Sequence, residues 1–155
     1  TGELWIKGPM VIPGYWKNEE ATKSSFEDGY WKSGDIASQD KNGFIRIHDR
    51  KKDMINRGGY KIFSAEIENL IMLMDEVQEA ALVPYPCPIL GERSHAFVFP
   101  SSASLEANEI RLQLSEKVAD YKVPDKITIT TEPLPRNVNG KITKAPLREK
   151  AHKEL

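Results

Sequence analysis

Residues Gly43 to Leu70 read GFIRIHDRKKDMINRGGYKIFSAEIENL, and the grammar of the chain changes inside them. The stretch opens as an alternating strand, Phe44 to Ile47, fed by an Asn-Gly turn at Asn42-Gly43. It crosses a charge cluster, Asp49 to Asp53, and a glycine pair, Gly58-Gly59. It closes as a helix: Ser64 is placed to cap it, and Glu66 and Glu68 follow in the first turns, where negative charge suits the helix dipole. Ile67, Leu70, Ile71 and Met74 then recur at helical spacing and define one apolar face. Strand signals thus end near residue 50 and helical ones begin after it.

Working outward towards the start, the signals are strands and turns. ELWIKG is a short strand closed by Gly8-Pro9, VIPGYW holds a turn at Pro13-Gly14, and GYWKSGDIA is strand-like between glycines. NEEATKSSF is the one short helix. A segment of this size without a recognisable core is expected to be the closing piece of a larger domain, not an independent one. The chain opens TGELWIKG, already in strand-like sequence and without an initiator Met, which is read as a fragment whose upstream portion has been removed.

Working outward towards the end, strands alternate with helices. EAALVPYP and SHAFVFP are buried strands, and Ile110, Leu114 and Val118 mark an amphipathic helix stopped by YKVP. KITITTEPLP is a strand, and APLREKAHKEL is a final helix that tolerates Pro146 in its first turn. The expected fold class is α+β: a small C-terminal α/β domain, a short sheet flanked by helices, over residues 52–155, preceded by a β-rich segment over residues 1–51.

Composition narrows the function classes. With 22 Lys and Arg against 23 Asp and Glu, the net charge is −1, so no basic field draws nucleic acid or anionic membrane. The single cysteine, Cys87, excludes an internal disulfide and suits a reducing, cytoplasmic setting. No apolar run approaches a membrane span. His48, His95 and His152 lie far apart, so no metal-ligand spacing is present. There is no nucleophile elbow and no Gly-x-x-x-x-Gly-Lys-Ser/Thr loop.

Four features carry candidate chemistry. Ser33-Gly34-Asp35 ends a strand: the glycine admits a close approach, and the carboxylate has acceptors suited to a vicinal diol such as ribose, or else Asp35 bonds its own backbone in a turn. In HDRKKDMI, Arg50 has the donors to reach a ribose hydroxyl or a phosphate, or else the cluster is a solvated charge run. In NRGGYKI, Asn56 to Ile62, the paired glycines before a helix bring backbone N–H groups against an extended or anionic ligand, or else form a flexible connection needing positive φ. In LPRNVNGKITK, Leu134 to Lys144, Asn139-Gly140 signals a hairpin with Lys141 directly behind it. An ammonium about 4 Å from an anion gains on the order of 4 kcal/mol at an effective dielectric of 20. Otherwise Lys141 is simply solvated.

The order GYWKSGDIA, GFIRIHDRKKDMINRGGYKIFSAEIENL, ILGERSHAFVF, YKVPDKI and LPRNVNGKITKAPLRE resembles the C-terminal part of the adenylate-forming enzymes, and it covers nearly the whole chain. That superfamily includes acyl- and aryl-CoA ligases, the adenylation domains of peptide synthetases, and beetle luciferase. The resemblance implies a role for each feature. Residues 1–51 would be the C-terminal end of the AMP-binding domain and residues 52–155 the mobile C-terminal domain. Asp35 matches the aspartate that holds both ribose hydroxyls of ATP or acyl-AMP, and Arg50 an arginine that contacts the same ribose. Lys52 falls at the hinge, which is Asp in many members and Lys in others. Gly58 and Gly59 match the loop lining the pantetheine tunnel, and Lys141 the lysine that bridges carboxylate and α-phosphate. Ser33 stands where many members carry Thr and keeps the hydroxyl.

The function this implies is an ATP-dependent acyl-CoA ligase, of the kind found in fatty acid metabolism. It would use ATP, Mg2+ and coenzyme A on a carboxylic acid, by way of an acyl-adenylate. The phosphate loop and the adenine and acyl pockets would lie in upstream sequence, so the isolated chain is expected to be inactive in adenylation. INRGG and LGERS resemble aryl-acid-activating members, which leaves open an aryl-acid or amino-acid adenylation enzyme loading a carrier protein's phosphopantetheine. A non-catalytic module that docks CoA or a carrier, and a structural domain with vestigial motifs, are the readings from other classes.

Overall fold

The computed structural model describes residues 1–102 and 104–153, which fall into two compact units, Thr1–Lys52 and Asp53–Leu155.

In the first unit a long strand organises everything else. Strands β1 (Gly2–Ile6), β2 (Phe26–Glu27) and β4 (Ile45–Arg50) all pair antiparallel with β3 (Tyr30–Gln39), and the short helix α1 (Glu19–Ser25) precedes β2. Asn18 caps α1, its Oδ1 accepting the Ala21 N–H at 3.0 Å. Ser33-Gly34-Asp35 does not end the strand as expected. The strand runs through it, and Gly34 takes a left-handed φ of +73° that a side chain would resist. The expected strand Phe44 to Ile47 begins one residue later and continues to Arg50, which brings Arg50 opposite Asp35. Among the described apolar residues of this unit only Ile36 and Ala37 are buried, while Met10, Ile12, Trp16, Phe44, Ile45 and Ile47 stay exposed.

The second unit carries its own core. It comprises β5 (Ile55–Arg57), β6 (Tyr60–Ile62), α2 (Ser64–Met72), β7 (Val77–Cys87), β8 (Gly91–Pro100), α3 (Ala107–Ser115), β9 (Lys126–Ile129) and α4 (Lys144–Lys153). The sheet runs β6-β5-β8-β7, antiparallel throughout, with β9 added parallel to β8. Successive residues of β7 face opposite sides. Ala80 and Leu82 join a core with Ile67 and Ile71 of α2 and Ile110 and Leu114 of α3. Ala81, Val83 and Tyr85 join a second core with Phe97, Leu134, Leu147 and Ala151, the last two on α4. Both faces of β7 are therefore covered, which is why its sequence is a continuous apolar run and not an alternating one.

Four expectations are corrected. Ser64 is not a cap: it is the first residue of α2, fully buried, and its hydroxyl accepts a hydrogen bond from Lys144. Met74 lies beyond the end of α2 but is still buried in the same core. The strand expected over KITITTEPLP stops at Ile129, because Pro133 and Pro135 cannot donate to a ladder. The last helix begins at Lys144 and keeps Pro146 in its first turn; the expected end of that helix, Glu154 and Leu155, lies outside the described residues. No helix among the described residues is long and apolar enough to cross a membrane.

Candidate functional site

The antiparallel register of β3 and β4 sets Asp35 opposite Arg50. Arg50 Nη1 donates to Asp35 Oδ1 at 2.7 Å and to the Ser33 carbonyl at 3.3 Å. The Ser33 hydroxyl accepts the Asp35 N–H at 3.0 Å, and the Gly34 carbonyl accepts the Lys51 N–H at 2.7 Å. Ser33, Gly34, Arg50, Lys51 and Lys52 line a cavity of about 440 Å³. A Cβ on Gly34 would meet nothing within 4 Å, so the space over the glycine is open. The carboxylate is thus spent on Arg50 and not on its own turn, and its second oxygen has no partner among the described residues. A carboxylate acceptor paired with a guanidinium that lines an open cavity is chemistry suited to a diol.

The DRKKD cluster is not uniformly solvated. Asp49 and Asp53 are buried, Asp49 Oδ1 accepts the Arg50 N–H at 2.8 Å, and Asp53 is ion-paired with Arg148 of α4. Lys52, the last residue of the first unit, is exposed.

The glycine pair has the positive φ expected of a connection there, but within a strand-paired turn. It is a two-residue hairpin turn between β5 and β6, with Arg57 opposite Tyr60 and both glycines left-handed, at φ +57° and +89°. Turns with two positive φ values match the twist of the flanking strands and favour glycine at both positions. Gly58 is held, its N–H donating to the Leu90 carbonyl at 2.8 Å; a Cβ on Gly59 would meet nothing within 4 Å. The hairpin is anchored through Arg57, whose Nη2 and Nε reach Asp125 at 3.0 and 3.2 Å. Burial pushes the Asp125 carboxyl up, but the Arg57 and Ser94 hydrogen bonds and the nearby charges of Arg57 and Arg93 outweigh it and hold the group below its usual 3.8. The sequence gives no periodic signal for Asp125.

Lys141 ends the tight turn that Asn139-Gly140 signals, with Arg136 bridged antiparallel to Ile142 across it. Asn137 N–H donates to the Lys141 carbonyl at 2.9 Å, Gly140 N–H to the Asn137 carbonyl at 2.9 Å, and Asn137 Oδ1 accepts the N–H groups of Asn139 and Lys141, each at 3.0 Å. Only Gly140 is left-handed, at φ +76°. The same bonds recur at Asp40 to Phe44, where Asp40 Oδ1 accepts the Asn42 and Phe44 N–H groups and Gly43 sits at φ +89°. The side chain at the first position of each loop, Asn137 or Asp40, organises the turn, and Asn-Gly alone does not reveal it. Lys141 is exposed, and its ammonium has no partner among the described residues.

Both limbs of that turn are tied to the second unit's sheet and helices. On the entering limb Glu79 of β7 accepts the Leu134 N–H at 2.7 Å and pairs with Arg136 Nη2 at 2.5 Å. Burial raises the Glu79 carboxyl, yet these two bonds and the Arg136 charge leave it below the usual 4.5. On the leaving limb Lys144 Nζ reaches Ser64 Oγ at 2.7 Å and Glu68 Oε1 at 2.6 Å. In the sequence these partners leave one signal, a carboxylate, Glu79, at the head of an otherwise apolar run.

Residues 66–141 match the family model described as the AMP-binding enzyme C-terminal domain. Among curated proteins, the chain is 40% identical over 148 residues to a long-chain-fatty-acid–CoA ligase of Yersinia pestis, covering 96% of this chain and 26% of that protein. It is also 40% identical over 157 residues to 2,3-dihydroxybenzoate-AMP ligase of Bacillus subtilis, covering 100% of this chain and 29% of that one. The o-succinylbenzoate CoA synthetase MenE of Bacillus subtilis, solved with the acyl-adenylate OSB-AMP, superposes with a TM-score of 0.85 at 33% identity, over 97% of this chain and 30% of MenE. The chain therefore spans less than a third of the length of each of these three proteins.

Proposed function

Because the chain belongs to the adenylate-forming enzymes, as their C-terminal part, we propose that it is the closing portion of an acyl-CoA ligase, which joins a carboxylic acid to CoA at the expense of ATP. The first unit would be the end of the AMP-binding domain. Its exposed Met10, Trp16, Phe44 and Ile47 suit a piece that other sequence covers. The second unit would be the mobile domain, turning about Lys52.

In the first half-reaction the acid's carboxylate attacks the α-phosphorus of ATP, a P–O bond to pyrophosphate breaks, and acyl-AMP forms. Asp35 and Arg50 would hold the ribose and so fix the nucleotide's register. Lys141 would draw carboxylate and α-phosphate together, a positioning and electrostatic task. Mg2+ would accompany the ATP phosphates and offset their charge; the described residues form no cluster of three or more metal-ligating side chains. In the second half-reaction the domain turns, Lys141 leaves and the Gly58-Gly59 hairpin takes its place. A thiolate attacks the acyl carbonyl, the C–S bond forms, and AMP departs with the C–O electrons. Gly59 would leave room for the thiol's pantetheine arm, since a side chain is absent where the structure is open.

The observation that carries this reading is Lys141 itself: an exposed ammonium without a partner among the described residues, on a turn whose limbs are tied to two carboxylates, buried Glu79 and half-buried Glu68. A second reading keeps the adenylation and changes the partners. The equal identity to 2,3-dihydroxybenzoate-AMP ligase, over the whole chain, favours an aromatic acid, which would be passed to a carrier protein. One experiment on the full-length protein addresses both. Acid-dependent ATP–pyrophosphate exchange is measured across aliphatic and aromatic acids for wild type and Lys141→Ala, alongside thioester formation from preformed acyl-AMP with CoA or carrier pantetheine. Exchange falls about a hundredfold in the variant while thioester formation survives. The best acid and the better thiol name the substrates. Unchanged exchange refutes the role of Lys141.

A further inference from the structure

Arg136 joins two things that the turn alone would leave apart. Its Nη1 donates to the carbonyl of Gly140, the residue directly before Lys141, at 2.5 Å. Its Nη2 pairs with Glu79 Oε1 on β7, also at 2.5 Å. Glu79 is buried and uses its other oxygen on the Leu134 N–H, so the carboxylate is itself fixed from two sides. Leu134 in turn sits in the core with Phe97 and Leu147.

The turn at Asp40 to Phe44 is the internal comparison. It has the same backbone bonds, and the residue in the place of Arg136 is Gln39. Gln39 Nε2 also reaches the carbonyl of the turn's glycine, Gly43, but at 3.4 Å. A neutral amide therefore suffices for a turn of this kind to close. What Arg136 adds is charge assistance and a second arm to the sheet, because a guanidinium fork donates in two directions at once. The exposed tip is Val138, and Lys141 leaves the turn beside the bond that Arg136 makes.

We propose that Arg136, held by Glu79, is a positioning residue for adenylation: it fixes the backbone from which the Lys141 ammonium projects, relative to β7. The inference rests on the adenylation role proposed for Lys141. A lysine side chain is long and flexible, so its reach is reproducible only if its root is fixed, and a displacement of about 1 Å can cost as much as a hundredfold in rate. A merely structural Arg136 would do no more than neutralise Glu79.

The test uses the full-length protein. Arg136→Lys keeps a positive charge for Glu79 and removes the second arm. Glu79→Gln keeps an acceptor for Leu134, weakens the hold on Arg136 and leaves no buried charge unpaired, so it serves if the first variant folds poorly. Each is measured for acid-dependent ATP–pyrophosphate exchange, for thioester formation from preformed acyl-AMP, and for Tm, alone and with Lys141→Ala. The expected result is exchange lower by about tenfold, thioester formation within about twofold of wild type, and no further loss of exchange when Lys141 is already Ala. If Lys141→Ala abolishes exchange and both variants keep it, Arg136 does not position Lys141. If both half-reactions fall together with Tm, Arg136 only supports the fold, and the inference fails. If Lys141→Ala itself keeps exchange, the adenylation role falls and takes this inference with it.

Discussion

Arg50 and Asp35 face each other across β3 and β4, Nη1 2.7 Å from Oδ1, with the Arg50 side chain 56% exposed. An ion pair this wet contributes about 0–1 kcal/mol to the fold. The pair leaves one Asp35 oxygen without a partner among the described residues, and Arg50 lines the cavity over Gly34.

That relationship predicts a discrimination between nucleotides. With the full-length protein, wild type should prefer ATP to 2′-deoxy-ATP in acid-dependent pyrophosphate exchange, because a hydroxyl bonded to a charged group contributes about 1.5–3 kcal/mol. In Asp35→Ala the KM for ATP rises about tenfold or more, the preference collapses, and Tm moves little. A retained preference would place the ribose away from Asp35.

Helices and buried strands were legible where periodicity reports burial. Ile67, Leu70 and Ile71 mark a helix, and the unbroken run in EAALVPYP marks a buried strand, which the structure covers on both faces. Local chemistry was legible less well, since several outcomes compete for one residue. Ser64 has the chemistry of a cap but is drawn into the interior by Lys144, a partner 80 residues away. Asn-Gly at 139–140 signalled a turn, yet the side chain that organises it is Asn137, and the strand beside it supplies Glu79. Pairings such as Arg57 with Asp125 and Asp53 with Arg148 join residues 68 and 95 positions apart, and no local pattern specifies them.

The Asp125 cluster predicts how stability depends on pH. The folded carboxyl titrates below its usual 3.8, so the unfolded state binds more protons in between and stability rises with pH. The contribution is complete above the unfolded value and is lost as pH falls through the lower folded one. Glu3 and Glu79 are depressed as well and add their own acid slope, so the variant difference is what isolates Asp125. In urea unfolding at about pH 7, Asp125→Asn should cost about 1–3 kcal/mol, because Arg57 and the Ser94 N–H lose a charged acceptor. The gap should narrow on going to about pH 3. A gap that is constant with pH would mean that Asp125 acts through shape alone.

The passage between the two units predicts where a protease cuts first. Strand β4 ends at Arg50 and β5 begins at Ile55, so residues 51–54 lie outside any ladder. Arg50, Lys51 and Lys52 are exposed and are trypsin sites, whereas Arg57 lies in β5 and is bonded to Asp125. Proteases cut where the chain opens locally at low cost, and a short segment without strand pairing opens most readily. Brief trypsin treatment should therefore yield products divided between Arg50 and Asp53. Asp53 is what tightens this segment on its far side, since it is buried and paired with Arg148 of α4. Arg148→Ala leaves that carboxylate without its cation and should speed the first cut several-fold, roughly in proportion to the free energy lost on opening. Mass spectrometry of the early products decides the matter. Cleavage that begins within α2, after Ser64, would place the weak point elsewhere and remove the physical basis for a hinge at Lys52.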